Sequence, residues 1–293
     1  MKKLLALLMS VTLVLAFSLT AVSCGREKFD FSNVNGIDDL NGAIIAAQTG
    51  TFHLDALNSQ GKEKGMVAKE YKDFTALLTA LKSGAIDGYI AEEPTAFSII
   101  AQNEGLDFVR LVNNVTGFSA TDEDTGIAVA FNKGSAYVAL ANAVIASISA
   151  ENKTALMGKS VEMSVDSTKA VDGYNVLGTV DAVAPTGTLK IAMECAYDPF
   201  NWTQETDVNG AVKIANGLGY ANGYDVQIAR YIASALNMSL EVYAIEWDSL
   251  IPGLTAGTYD GIIAGMSPTA ERKEVVDFTD CYYNSNLVII YKK

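Results

Sequence analysis

The sequence predicts an α/β protein of two lobes. Two stretches alternate short apolar runs with helical periodicity, and a non-periodic segment of about thirty residues (158–187) separates them. One phrase occurs in both stretches, "LKSGAIDGYIA" and "LTAGTYDGIIA": a helix end, a glycine stop, an Asp-Gly pair and a buried strand. Strand, helix and strand at such short intervals imply right-handed crossovers in mostly parallel sheets.

In the first stretch, Ala43 to Ala47 is an apolar strand, followed by a Thr-Gly-Thr turn and a helix-like segment. Phe74, Leu77, Leu78 and Leu81 recur at helical spacing, Gly84 stops that helix, and "IDGYIA" is a short buried strand. "DTGIAVAFNKGS" is another strand, and Tyr137 to Met157 reads as one or two amphipathic helices. Periodicity then fails from Gly158 to Gly187, where Ser, Thr, Gly, Asp and a late Pro185 suggest a linker running over the surface. The second stretch restarts with strand "TLKIAM" and a helix that turns Val226, Ile228, Ile232 and Leu236 inward. "LEVYAI" is a strand, "WDSLIPGLTAGTY" a short helix ended by Gly257, and "DGIIAGM" a buried strand; "NLVIIYKK" is one more strand.

With 293 residues, 49% apolar and 19% charged, the chain can bury the core of one large domain or two ordinary lobes. Its net charge of −13 argues against nucleic acid or anionic lipid as the main partner. Lys2, Lys3, the apolar run Leu4 to Leu19 and the small residues Ala21-Val22-Ser23 read as an export signal. Cys24 follows directly and resembles the lipidated cysteine of bacterial lipoproteins, although Ala21 stands where leucine is commoner; the alternative is an uncleaved membrane helix. Either way the rest of the chain is expected outside the cytoplasmic membrane. Cys195 and Cys281 could pair in an exported chain, yet two cysteines far apart in sequence are no disulfide framework, and one histidine, His53, without clustered Cys/His spacing argues against a zinc site. Nucleophile-elbow, zinc-protease and P-loop patterns are absent, and no cofactor is expected.

Residues 188–293 resemble the first lobe of the polar amino-acid-binding proteins (family 3) that serve ABC importers, through "GTLKIAMECAYDPFNW", "GYDVQIARYIASAL", "WDSLIPGL", "YDGIIAGMSPTAERKEVVDFTD" and "YYNSNLVII". Residues 39–157 resemble that family's second lobe and closing helices, through "LNGAIIAAQTGTFHLDAL", "ALKSGAIDGYIAEEP" and "DTGIAVAFNKGS". The resemblance implies a two-lobed periplasmic-binding-protein-like fold (type II) with its lobes in reversed order, hence circularly permuted. It divides the chain into a signal (1–23), a tether (24–38), the second lobe (39–125), a hinge strand with closing helices packing on the first lobe (126–157), the linker (158–187) and the first lobe ending in a hinge strand (188–293). A single covalent crossing near Thr125 to Asn132 is then expected, with the strand Leu287 to Tyr291 beside it unlinked, and a looser open state in consequence. A fragment of a tandem protein, or a site completed between swapped chains, are the alternatives to a self-contained monomer.

The resemblance also implies a site. A free amino acid presents a carboxylate and an ammonium, each costly to bury unless paired. Arg272 stands at the family's carboxylate clamp, with Ser267 beside it and backbone donors expected at Thr51 and Phe52. The Gly265 carbonyl and Glu92 answer the ammonium; the family more often has aspartate at the latter, and Glu93 is a competitor. Tyr197 and Trp247 match aromatic walls, although a tryptophan there is commonly core. Glu194, at the end of the first strand of its lobe, and Gln48 are side-chain candidates, while His53 reads as a helix-start residue beside the pocket. Glu194, Glu92 and Asp124 bias the cleft towards a basic or polar amino acid. The implied mechanism is hinge closure around the ligand and delivery to a permease. A ligand-sensing lipoprotein is the rival reading, and a dehydratase on the same scaffold a more distant one.

Overall fold

The computed structural model describes residues 27–293. The signal, Ala21 and the cysteine at position 24 lie outside the described residues. Two α/β lobes face each other across a cleft, the fold class that the sequence predicts.

The leading lobe starts with β1 (Ile44–Gln48), the short helix α1 (Phe52–Ala56) and β2 (Val67–Tyr71). Helix α2 (Phe74–Ser83) begins where the Asp73 side chain accepts from the Ala76 amide at 2.7 Å. It buries Phe74, Leu77, Ala80 and Leu81 and ends at Gly84, whose φ of 78° is left-handed. Strand β3 (Gly88–Glu92), helix α3 (Glu93–Gln102) and β4 (Leu106–Arg110) come after it. After the single turn α4 (Asp122–Thr125) the chain crosses to the trailing lobe through β5 (Gly126–Ile127) and β6 (Ala130–Asn132). Helices α5 (Tyr137–Ala146) and α6 (Ala150–Val165) come next.

The trailing lobe then runs β7 (Thr188–Met193), β8 (Ala196–Tyr197), β9 (Asn201–Gln204), β10 (Val212–Lys213) and β11 (Tyr220–Asn222). Helix α7 (Tyr224–Ala235) buries Val226, Ile228 and Ile232 against the sheet. Strand β12 (Ser239–Ala244), helix α8 (Leu250–Thr255), strand β13 (Gly261–Ile262), helix α9 (Ala270–Val275) and strand β14 (Val276–Phe278) complete this lobe. The chain leaves it through β15 (Tyr283–Asn284) and ends in β16 (Leu287–Lys292).

The two main sheets have strand orders β2-β1-β3-β16-β4 and β12-β7-β13-β6-β14. Their parallel parts are smaller than expected: β16 runs antiparallel to both β3 and β4, and β6 antiparallel to β13 and β14. Strand β16 does not end the trailing lobe. It sits in the middle of the leading lobe's sheet, where its run of four buried residues suits a strand covered on both faces. Gly88 permits that approach, since a Cβ there would lie 2.6 Å from Ile289 Cγ2.

The expectation of one covalent crossing is therefore corrected. The chain passes between lobes twice, at 126–132 and again at 283–287, and β15 pairs antiparallel with β5 as a hinge ribbon. The apolar pattern of "NLVIIYKK" identifies a buried strand but not the sheet that receives it.

Two other boundaries move. The tether does not extend to residue 38, because Phe31 and Ile37 are buried in the leading lobe's core and Phe31 stacks on Tyr291 at 4.3 Å between ring centroids. The linker does not start at 158, because α6 continues to Val165. Nor is the segment beyond α6 free on the surface: Val171 is buried with Met163 and Trp202, and its amide donates to Asn209 Oδ1 at 2.7 Å. Helix α6 packs against α7 of the trailing lobe and also against α3 of the leading lobe, with the Ser98 and Ser164 hydroxyls 2.6 Å apart.

Candidate functional site

A narrow cavity of about 20 Å³ lies between the lobes. From the leading lobe it is lined by Gln48, Thr51, Phe52, His53, Phe74 and Glu92, and from the trailing lobe by Tyr197, Trp247, Gly265, Ser267 and Arg272. Nine of the ten ligand-site candidates from the sequence thus share one wall system, while Glu194 sits just outside it.

Local chemistry explains most of these positions. The Thr51 hydroxyl donates to the Gln48 carbonyl at 2.6 Å and caps α1 by accepting from the Leu54 amide, which fixes the turn after β1. Gly265 has a φ of 62°, and a Cβ there would stand 3.0 Å from the Tyr197 ring, so glycine lets the backbone lie against that aromatic face. Beneath Gly265 lies Asp225, fully buried, which accepts from Tyr282 Oη at 2.7 Å, from Asn201 Nδ2 at 2.8 Å and from the Gly265 backbone. Burial pushes that carboxyl up to about 6. Asp225 so joins the cavity's Gly265 loop to the residue before the hinge ribbon.

Arg272, near the start of α9, donates through Nη1 to the Ser267 carbonyl at 2.7 Å and through Nη2 to the Gly50 carbonyl at 2.8 Å. Gly50 belongs to the other lobe. The Trp247 indole also donates to the Gly50 carbonyl, at 3.2 Å, and lies 5.2 Å beneath the guanidinium. Trp247 is therefore a wall and not core. Burial lowers Arg272 to about 10, partly offset by Asp55 and Glu271, so it remains cationic at neutral pH.

Glu92 is buried, and its Oε1 lies 3.0 Å from His53 Nε2. Its Oε2 has no hydrogen-bond partner among the described residues. Glu93 pairs instead with Arg110 outside the cavity. Asp124 is not a cavity acid: it closes the capping box of α4 with Thr121, accepting from the Thr121 amide at 2.9 Å. The acidic bias attributed to it is corrected on that ground.

Glu194 accepts from Gln48 Nε2 at 3.0 Å across the lobes. It faces a second cleft, shared with Lys72, Asp73, Glu246, Trp247 and Asp248. Burial first, with the neighbouring Asp73, Asp248 and Glu246 adding to it, raises its carboxyl to about 7 despite the Gln48 bond.

Two lining residues are not foreseeable from the sequence. Phe74 is legible there only as a core position of α2, yet its ring stacks on Tyr197 of the opposite lobe at 4.0 Å. His53 is expected beside the pocket, but no local pattern indicates its bond to Glu92, which comes from β3. Cys195 and Cys281 are unpaired.

Residues 189–293 match the bacterial extracellular solute-binding proteins, family 3. Curated relatives agree. The arginine-binding extracellular protein ArtP of Bacillus subtilis is 30% identical over 118 residues, which are 40% of this chain and 41% of that protein. The octopine-binding periplasmic protein of Rhizobium meliloti is 31% identical over 101 residues, 34% of this chain and 30% of the relative. The chain thus spans about two fifths, or less, of the length of these relatives. Among solved structures, the arginine-bound form of domain 1 from TmArgBP is 31% identical and covers 36% of this chain and 79% of that one, with a TM-score of 0.29.

Proposed function

We propose that this chain binds a free amino acid between its lobes and hands it to the permease of an ABC transporter. The carrying observation is that Arg272, Ser267 and Gly265 of one lobe and Thr51, Phe52 and Glu92 of the other line a single cavity. A cationic fork and a buried carboxylate in one small chamber suit a zwitterion, whose charges both need partners. Only a ligand that touches both lobes shifts the balance between open and closed forms.

A basic side chain fits best. Glu194, just beyond Gln48, opens on a cleft rich in acids, and relatives of the matched segment include proteins named for arginine and histidine binding. In this reading the carboxylate meets Arg272 and Ser267, the ammonium meets Glu92 and the Gly265 carbonyl, Tyr197 and Trp247 cover the stem, and Gln48 and Glu194 meet the side chain. The protein works outside the cytoplasmic membrane, held there by lipid on Cys24, and acts as a monomer without a cofactor.

The lobe order is best read as a circular permutation. The matched family segment is the tail of the chain, and the Phe31–Tyr291 stack brings the first described residues against the last strand. Such adjacency is what joining and reopening the ends of a compact fold requires.

A thermal-shift and calorimetric screen of the twenty amino acids tests the proposal. A ligand present at a hundred times its Kd stabilises the native state by about 2.7 kcal/mol, so at least one amino acid is expected to raise Tm clearly. If none does, the reading fails.

A further inference from the structure

The pair His53–Glu92 is peculiar in its surroundings. Both side chains are almost fully buried, with exposures of 8% and 5%, and they touch at 3.0 Å. Each keeps one buried atom without a partner among the described residues, Nδ1 of His53 and Oε2 of Glu92. Both residues line the chamber assigned to a zwitterion. A carboxylate needs a counter-charge when buried, and an imidazole beside it can supply one by taking a second proton.

We propose that His53 is a specificity-determining residue that exchanges its proton for the ligand's ammonium. Without ligand, imidazolium Nε2–H donates to Glu92 Oε1 and neutralises it. When the ammonium arrives it donates to Oε2, a few ångströms from the imidazolium. Two cations on one carboxylate repel each other, and the imidazolium is the one whose proton leaves easily. That proton passes to solvent, Glu92 stays ionised, the ammonium keeps its three protons, and the chamber's charge is restored. The consequence is selection for a cationic amine at this position, with capture weakened at acid pH.

The other groups facing the pair do not supply the exchange. Arg272 lines the same chamber but keeps its proton. Asp55 lies on the same helix and interacts with Arg272 and Glu271. Asp225 and Tyr283 stand near Glu92; burial raises Asp225 to about 6 against its hydrogen bonds to Tyr282, Asn201 and Gly265, with Glu92 adding least, and raises Tyr283 to about 12, with Glu93 and Glu92 adding to it. Tyr197 and Phe74 present rings, the latter edge-on to His53 at 6.5 Å.

This inference rests on the proposed amino-acid site, and the experiment separates the two. His53 is the chain's one histidine, so its imidazole is read without ambiguity by NMR from pH 5 to 8. In ligand-free protein, taking away the carboxylate charge in Glu92→Gln is expected to make the imidazole easier to deprotonate; an imidazole that behaves alike in both proteins overturns the pair's charge. With the twenty amino acids as probes, the one giving the largest Tm shift is titrated at pH 6 in buffers of different ionisation enthalpy. Proton release is expected in the natural protein and is lost in His53→Gln. Binding with no difference in proton release between them overturns the exchange while leaving the site standing. Failure of all twenty to bind removes the site, and the exchange with it.

Discussion

The Arg272 guanidinium of one lobe donates to the Gly50 carbonyl of the other at 2.8 Å. The same fork also donates to Ser267, so two of its five N–H groups are committed before a ligand is considered, and three remain. The residue proposed to hold the carboxylate is thus also a latch on closure. In the proposed site, capture and closing would be coupled through one planar group.

Arg272→Lys separates charge from geometry. Lysine keeps the cation but cannot hold Ser267, Gly50 and a carboxylate in one plane. Affinity is expected to fall roughly tenfold to 150-fold, the range for losing a hydrogen bond to a charged group while the charge itself stays, as measured by calorimetry with the best amino acid of the screen. Binding within threefold of the natural protein would remove Arg272 from the site.

Glu194 predicts a pH dependence of definite sign. Its carboxyl is raised from 4.5 to about 7, so protonation favours the folded, closed arrangement. That contribution is complete below about 4.5 and is lost as pH rises through about 7. Ionised Glu194 is also the form that a cationic side chain attracts. Arginine affinity is therefore expected to climb from pH 5.5 to 7.5 more steeply than glutamine affinity, by up to about tenfold per pH unit. In Glu194→Gln the difference between the two ligands should vanish, and calorimetry across that pH range checks it.

Periodicity carried more of the fold than of the site. The helix from Phe74 to Ser83, its Gly84 stop and the inward face of Val226, Ile228 and Ile232 follow from local spacing that the structure keeps. The destination of Leu287–Lys292 did not, because an apolar run fits any strand covered on both faces, and only the partners Glu92 and Arg110 decide the sheet. The gathering of Arg272, Ser267, Glu92 and Thr51 around one cavity was legible through motif resemblance alone. The stack of Phe74 on Tyr197 and the bond of His53 to Glu92 join residues far apart in sequence, and no pattern within a window encodes them.

Phe74→Leu tests the stack. Leucine preserves helix propensity and most of the buried area but removes the flat face that meets Tyr197 across the cleft. Stacking beyond simple burial is worth about 0.5–1.5 kcal/mol, so ligand affinity should fall roughly two- to twelvefold. Far-ultraviolet circular dichroism should stay unchanged, because the contact is between lobes. Unaltered affinity would mean that closure does not depend on this pair.

The chain order itself can be reversed. Lys293 would be joined by a short flexible link to the segment at Phe29, and new ends opened within 166–187. The junction lies where Phe31 already rests on Tyr291, and the reopened segment holds no strand of either main sheet. With a single crossing, such relinking would tighten the hinge and strengthen binding. With both 126–132 and 283–287 covalently continuous, the hinge ribbon of β5 and β15 is the same in either order. The relinked protein is therefore expected to bind its amino acid within about twofold of the natural chain, since swapping one surface connection for another changes closure entropy by only about 0.6 kcal/mol per doubling of loop length. Calorimetry on both chains decides it: a gain of tenfold or more would show that the present order loosens the hinge despite its two connections.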